Sequence, residues 1–129
     1  MNKTGAFKLT VTIPVLNEED NLPSLARRLD SLAISCPDFP ICYLFVDDGS
    51  TDGSLKLIKE ICSTRENFFY LKFERNFGLS AALKAGFDYA NSEFTGYIDA
   101  DLQVAPEDFK LLIPFTNDYE LVMGIRQNR

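Results

Sequence analysis

The chain has 129 residues, 46% hydrophobic and 25% charged, with 11 Phe and 5 Tyr, a content that suits one folded domain and excludes a disordered segment. The 13 Lys and Arg against 19 Asp and Glu leave a formal charge of −6, which argues against nonspecific nucleic-acid binding, since that rests on cations meeting phosphates. No histidine is present, which removes an imidazole general base and any His-ligated zinc.

Phe7 to Ile13 is β-branched and alternating and predicts a first strand, stopped by Pro14 and Asn17. Leu22, Leu25, Leu29 and Leu32 recur at helical spacing, with Pro23 suited to a first turn and Pro37 and Pro40 beyond the end. Ile41 to Val46 is a continuous apolar run of the kind found in buried strands of parallel sheets. A second helix is marked by Leu55, Ile58, Ile61 and Cys62, a third strand spans Phe68 to Phe73, and a helix of small residues runs from Leu79 to Ala90. Phe94 to Ile98 predicts a fourth strand, Pro106 to Ile113 a short helix and Glu120 to Met123 a fifth strand. Such alternation implies right-handed crossovers: an α/β fold with a mostly parallel sheet and helices on both faces.

Cys36, Cys42 and Cys62 are odd in number and lack C-x-x-C spacing, so buried thiols in a reducing compartment are expected rather than a disulfide framework or zinc ribbon. No apolar h-region follows Met1, and no uninterrupted apolar run reaches about 18 residues, so neither a secretory signal nor a membrane span is expected within these residues. The expected location is the cytoplasm, or its face of a membrane for a longer parent protein.

Ligands of open α/β sheets gather beyond the carboxyl ends of the strands. There the sequence places Asn17, Glu18, Glu19 and Asp20, then Asp47, Asp48 and Asp52, then Glu74, Arg75 and Asn76, then Asp99, Asp101 and Gln103, and last Arg126. In extended backbone, Asp99, Asp101 and Gln103 point to one side in steps of about 6.5–7 Å. They could converge on a hard cation such as Mg²⁺ or Mn²⁺, or form a solvated turn in which Asp101 caps. A bound cation would let an acidic pocket accept an anionic diphosphate. Asp47 to Gly53 admits turn and capping chemistry, or a carboxylate at Asp47 or Asp48 that meets a base or ribose. A calcium loop counted from Asp48 fails, because Lys59 stands where a glutamate is required. Arg75 suits a diphosphate or a salt bridge with Glu74, and the amino end of the third helix can stabilise a phosphate. Arg126 and Arg129 could meet an anionic second substrate or belong to a frayed basic tail.

Ile13-Pro14-Val15-Leu16-Asn17-Glu18-Glu19, Val46-Asp47-Asp48-Gly49-Ser50-Thr51-Asp52, Arg75-Asn76-Phe77-Gly78 and Asp99-Ala100-Asp101-Leu102-Gln103 occur in this order. Together they resemble the nucleotide-binding half of family 2 glycosyltransferases, of GT-A fold. The last motif is most similar to the branch containing dolichyl-phosphate mannose synthase and bacterial polyprenyl-phosphate glycosyltransferases. The resemblance implies inverting transfer of a sugar from a UDP- or GDP-sugar to an acceptor, a lipid phosphate or a saccharide. It implies that Pro14, Asn17, Glu18 and Asp48 hold the nucleoside, and that Asp99, Asp101 and Gln103 bind the cation bridging the diphosphate. Asp101 and Arg126 would be catalytic, Arg126 by meeting the acceptor's phosphate. Family members continue past this length into an acceptor region, so residues 1–129 are expected to be one nucleotide-sugar domain, the N-terminal portion of a longer enzyme and inactive alone. A nucleotide-sugar-binding module without catalysis is the alternative. A receiver-type phosphoacceptor domain fits less well, because the paired acids follow the second strand and no lysine follows the fifth. Dinucleotide binding lacks its G-x-G-x-x-G signature after the first strand.

Overall fold

A computed structural model describes residues 2–101 and 109–113. A 3₁₀ turn over Lys3–Ala6 leads into β1 (Leu9–Val15), α1 (Leu22–Ile34), β2 (Ile41–Asp47), α2 (Ser54–Ser63), β3 (Phe68–Lys72), α3 (Leu79–Tyr89), β4 (Phe94–Tyr97) and the short α4 (Phe109–Leu112). The described strands form one parallel sheet in the order β3-β2-β1-β4. The predicted fifth strand, Gln103 and Arg126 lie outside the described residues.

β2 is buried along its whole length because it is central and covered on both faces. On one face, Leu25, Leu29 and Leu32 of α1 and Ile58 of α2 pack on Val11, Ile13, Tyr43 and Phe45. On the other, Ala82 of α3 packs with Leu44 and Val46. The polar members of the alternation in β1, Thr10 and Thr12, are fully buried as well. They face α3, and the Thr10 hydroxyl is satisfied by the Ser92 hydroxyl, with the Cys42 thiol 3.3 Å away. Alternation therefore marked two kinds of buried face, one apolar and one hydroxylic. Strand β1 also starts at Leu9 rather than Phe7, since the Phe7 N–H closes the preceding turn on the Thr4 carbonyl.

The helices follow their apolar spacing, and Pro23 stands in the first turn of α1 where its missing N–H costs nothing. Helix α3 approaches β1 closely because Gly86 lacks a side chain: a Cβ there would lie 2.4 Å from Thr12 Cγ2. Gly86→Val is accordingly expected to destabilise the fold by about 2–3 kcal/mol through overpacking, read as a lower urea midpoint at unchanged slope.

The three cysteines are free, with Cys36 and Cys42 buried and Cys62 half-buried. Burial pushes the Cys42 and Cys62 thiols up to about 11, so both stay protonated and unreactive near neutral pH. Among the described residues no helix is long and apolar enough to cross a membrane.

Candidate active site

The strand order reverses at β1: the chain moves outward to β2 and β3, then returns to place β4 on the other side of β1. A crevice forms where an order reverses, beyond the carboxyl ends of the diverging strands. Pro14 widens it. The β1–β4 pairing stops at Thr12 with Tyr97, whereas β1–β2 pairing continues to Val15 with Asp47. The Ile98 N–H still reaches the Thr12 carbonyl, but Pro14 has no N–H with which to extend that ladder.

The loop after β1 is laced to the loop after β2. Asn17 adopts φ 55, a conformation asparagine tolerates better than most residues. Its Oδ1 accepts the N–H groups of Thr51 at 2.8 Å and Asp52 at 3.2 Å, while its own N–H donates to the Ser50 hydroxyl at 2.9 Å. The Glu18 N–H donates to the Ser54 hydroxyl at 2.9 Å, and Glu19 Oε1 accepts the Gly53 N–H at 2.7 Å. Desolvation pushes the Asp52 carboxyl up, but hydrogen bonds from the Ser54 hydroxyl and the Ser54 and Glu19 N–H groups outweigh it, so Asp52 titrates below its ordinary value. These bonds employ Asn17 in holding two loops together.

The paired acids after β2 part company. Asp47 is buried, and its Oδ1 accepts the Ser50 N–H at 3.4 Å. The Asp48 carboxylate reaches across to the loop after β3, accepting the Phe77 N–H at 2.7 Å, the Gly78 N–H at 3.0 Å and the Asn76 Nδ2 at 3.2 Å. Two of the N–H groups leading into α3, which the sequence offers to a phosphate, are thus donated to a carboxylate of the protein itself. Arg75 forms no ion pair among the described residues, with Glu74 or any other acid. Its guanidinium lies over the Phe77 ring, 4.7 Å from the centroid, and Phe77 meets Phe73 edge-on at 5.5 Å.

At the reversal lies a cleft of about 370 Å³. Of the residues singled out in the sequence, Pro14, Glu18, Asp48, Asp99 and Asp101 line it, whereas Asn17, Asp47 and Arg75 do not. The chain turns at Ala100 and Asp101 just after β4, the turn that the sequence also allowed; Ala100 is 2% exposed, while Asp99 and Asp101 on either side are partly exposed and line the cleft. Val15, Leu16, Asn76, Gly78 and Leu79 also line it; sequence reasoning gave Val15, Leu16 and Leu79 no individual role, and offered the Asn76-to-Gly78 segment only as a strand-end candidate and the amino end of the third helix as a phosphate site. The signal available for them was their position, at the end of β1 or directly after it, or between β3 and the start of α3. A larger cavity of about 1050 Å³ opens at the opposite end of the sheet, beside Phe7, Cys62 and Phe69. Volume does not select the site, because the converging carboxylates are all at the smaller cleft.

The donor chemistry at that cleft fits a hard divalent cation. Among the described residues no three His, Cys, Asp or Glu side chains gather closely enough to hold an ion alone. Asp99 and Asp101 nevertheless supply the one or two carboxylates that Mg²⁺ commonly takes from protein before substrate phosphates complete its shell.

A parallel sheet with helices on both faces and an acid-lined crevice at its reversal point makes an α/β fold with a candidate ligand site at the switch point. Residues 10–129 match the family model for glycosyl transferase family 2, and the chain belongs to that family. It is 36% identical over 126 residues to an undecaprenyl-phosphate 4-deoxy-4-formamido-L-arabinose transferase of Klebsiella pneumoniae subsp. pneumoniae, a match covering 95% of this chain and 38% of that protein. The chain thus spans less than half the length of this relative. Among solved structures, S. aureus TarS 1-349 in complex with UDP-GlcNAc superposes with a TM-score of 0.69 at 25% identity, covering 86% of this chain and 31% of that one. A mannosyltransferase of Pyrobaculum calidifontis in complex with GDP-Man and Mn²⁺ shares the fold, with a TM-score of 0.60 at 24% identity over 79% of this chain and 30% of that one.

Proposed function

We propose that this chain binds a nucleoside-diphosphate sugar in the β1–β4 cleft and forms the donor half of an inverting glycosyltransferase whose acceptor is a polyprenyl phosphate. The observation that carries the reading is the pairing of Asp99 with Asp101 on the wall of the crevice. Family membership supports the reaction class, the activity for which the Klebsiella relative is named supports the acceptor, and the TarS complex supports a UDP-sugar as the donor.

In this reading the nucleoside lies between the β1 loop, with Pro14 and Glu18, and the wall formed by Asn76, Gly78 and Leu79. Asp99 and Asp101 would hold a divalent cation, Mg²⁺ or Mn²⁺, which when bound stabilises the negative charge that grows on the departing diphosphate. Gln103 would join them, and Arg126 would meet the acceptor's phosphate. Arg75, whose loop carries the cleft wall, would add a cation at the rim for the diphosphate. A lipid phosphate needs no general base, because a phosphate monoester with a second pKa near 6 is already anionic at neutral pH. A saccharide hydroxyl would need one. The free thiols suit a cytoplasmic placement of the donor cleft.

Calorimetric titration of UDP and of GDP, each with Mn²⁺, Mg²⁺ or EDTA, tests the reading. One nucleotide is expected to bind with micromolar affinity when a divalent ion is present and at least about tenfold more weakly in EDTA, a difference of about 1.4 kcal/mol. Absence of binding for both nucleotides in every condition would defeat the assignment of the cleft.

A further inference from the structure

We infer that Asn21 is a positioning residue for Glu18: its side-chain amide ties down one oxygen of that carboxylate and leaves the other to meet a hydrogen-bond donor of the nucleoside. The inference rests on the donor-binding reading above and adds to it a residue that none of the sequence motifs singled out.

Glu18 lines the donor cleft from the loop between β1 and α1. Its backbone is fixed from two sides. The N–H donates to the Ser54 hydroxyl at 2.9 Å, and the carbonyl accepts the N–H groups of Asn21 at 3.0 Å and Leu22 at 3.1 Å. These bonds do not fix the carboxylate, because a glutamate side chain keeps several rotatable bonds of its own. Asn21 does so: its Nδ2 donates to Glu18 Oε1 at 2.8 Å, between two half-buried residues. The pair is therefore joined through main chain and side chain at once.

Asn21 stands at the amino end of α1, where an asparagine ordinarily turns its side-chain oxygen onto the free N–H groups of the first turn. Here it makes no such bond. Pro23, the second helical residue, has no N–H to offer, and the Asn21 side chain does not turn to the Ser24 N–H either. The side chain is committed to Glu18 instead of to the helix end. With Oε1 held, Oε2 keeps its acceptor sites for a ligand. An acceptor ordered in advance binds more tightly than one that must be immobilised during binding.

Asn21→Ala removes the donor. The nucleotide that the unsubstituted chain prefers, titrated with Mn²⁺, is expected to bind this variant about three- to tenfold more weakly, the cost of fixing one long side chain on binding. The decisive comparison exchanges the two roles. In Glu18→Gln the new amide can turn its oxygen to Asn21 Nδ2, which leaves an N–H group where the nucleoside needs an acceptor. In Asn21→Asp two carboxylates replace a hydrogen-bonded pair and repel each other. Glu18→Gln combined with Asn21→Asp has the net charge of the unsubstituted chain and restores the bond with reversed polarity, the glutamine donating and the aspartate accepting. An acceptor oxygen then faces the cleft again, and the double variant is expected to bind the nucleotide at least about threefold more tightly than either single variant. A role confined to starting α1 predicts no such recovery. Because aspartate caps a helix as well as asparagine does, that role predicts normal binding by Asn21→Asp alone. Unchanged affinity in Asn21→Ala would overturn the inference, as would a double variant that binds no more tightly than its two parents. If the unsubstituted chain binds neither nucleotide, the donor reading fails and the positioning role with it; if it binds and Asn21→Ala binds equally well, the positioning role fails alone. Should Asn21→Ala fail to fold, the comparison of the double variant with Glu18→Gln decides.

Discussion

Gly49→Ala is expected to cost the fold about 3–4 kcal/mol, more than any single loss on the rim of the cleft. Two terms combine. Gly49 sits at φ 77, where a residue with a Cβ is disfavoured by roughly 1–2 kcal/mol. A Cβ at this position would also stand 2.4 Å from the Arg75 carbonyl carbon and 2.5 Å from the Asn76 nitrogen. Both are backbone atoms and cannot turn aside, so the overpacking term, typically 1–3 kcal/mol, applies in full. Gly78→Ala separates the two contributions. Gly78 has φ 103 but open space around the missing Cβ, so that variant bears backbone strain alone. Urea unfolding of both variants reads the difference. If Gly49→Ala costs no more than its backbone term alone, about 1–2 kcal/mol, the close approach of the two loops is wrong, and the brace it gives to the cleft wall goes with it.

The architecture was legible because its signals are local. The run Ile41 to Val46 announced a strand covered on both faces, and the leucine spacing of α1 announced its buried side. Asp99-Ala100-Asp101 admitted either extended backbone or a turn; the chain turns at Ala100 and Asp101 right after β4, and both carboxylates still line the cleft. What stayed hidden depends on neighbours distant in sequence. Asn17 reads as a ligand-binding candidate because it follows a strand; its partners at Thr51 and Asp52 become visible only when β1 and β2 are set in register. The burial of Thr10 and Thr12 depends on α3, a helix distant in sequence that packs over them. Strand order is likewise nonlocal, and it is the order β3-β2-β1-β4 that puts the crevice between the ends of β1 and β4.

The acidic balance takes on a different meaning once the acids are placed. Asp48 and Asp52 are held by amide and hydroxyl donors of the protein, Glu19 by the Gly53 N–H, and Asp30 by Arg65. Several of the acids behind the formal charge of −6 are thus tied into the structure by the protein's own donors, and one of them is ion-paired. Glu18, Asp99 and Asp101 are the remaining acids on the cleft wall besides Asp48, a small group whose repulsion of a diphosphate a single divalent ion can offset.

Asp101→Ala tests that arrangement with the largest expected effect on binding. With Mn²⁺ present, affinity for the preferred nucleotide is expected to fall on the order of 100-fold. Loss of a mere supporting partner of a metal ligand typically costs about 10–100-fold, and loss of a ligand itself reaches at least the upper end of that range. The sign in EDTA is different. Without a cation the diphosphate faces like charges on the wall, and Asp101→Ala removes one of them, so the variant is expected to bind at least as well as the unsubstituted chain. A crossing of the two curves between Mn²⁺ and EDTA is specific to a carboxylate that acts through a cation. A residue that simply hydrogen-bonds the nucleotide would lose the same factor in both conditions, and that outcome would remove Asp101 from the proposed cation site. Asp99→Ala is expected to behave alike, because Ala100 between the two is buried and both carboxylates share one wall.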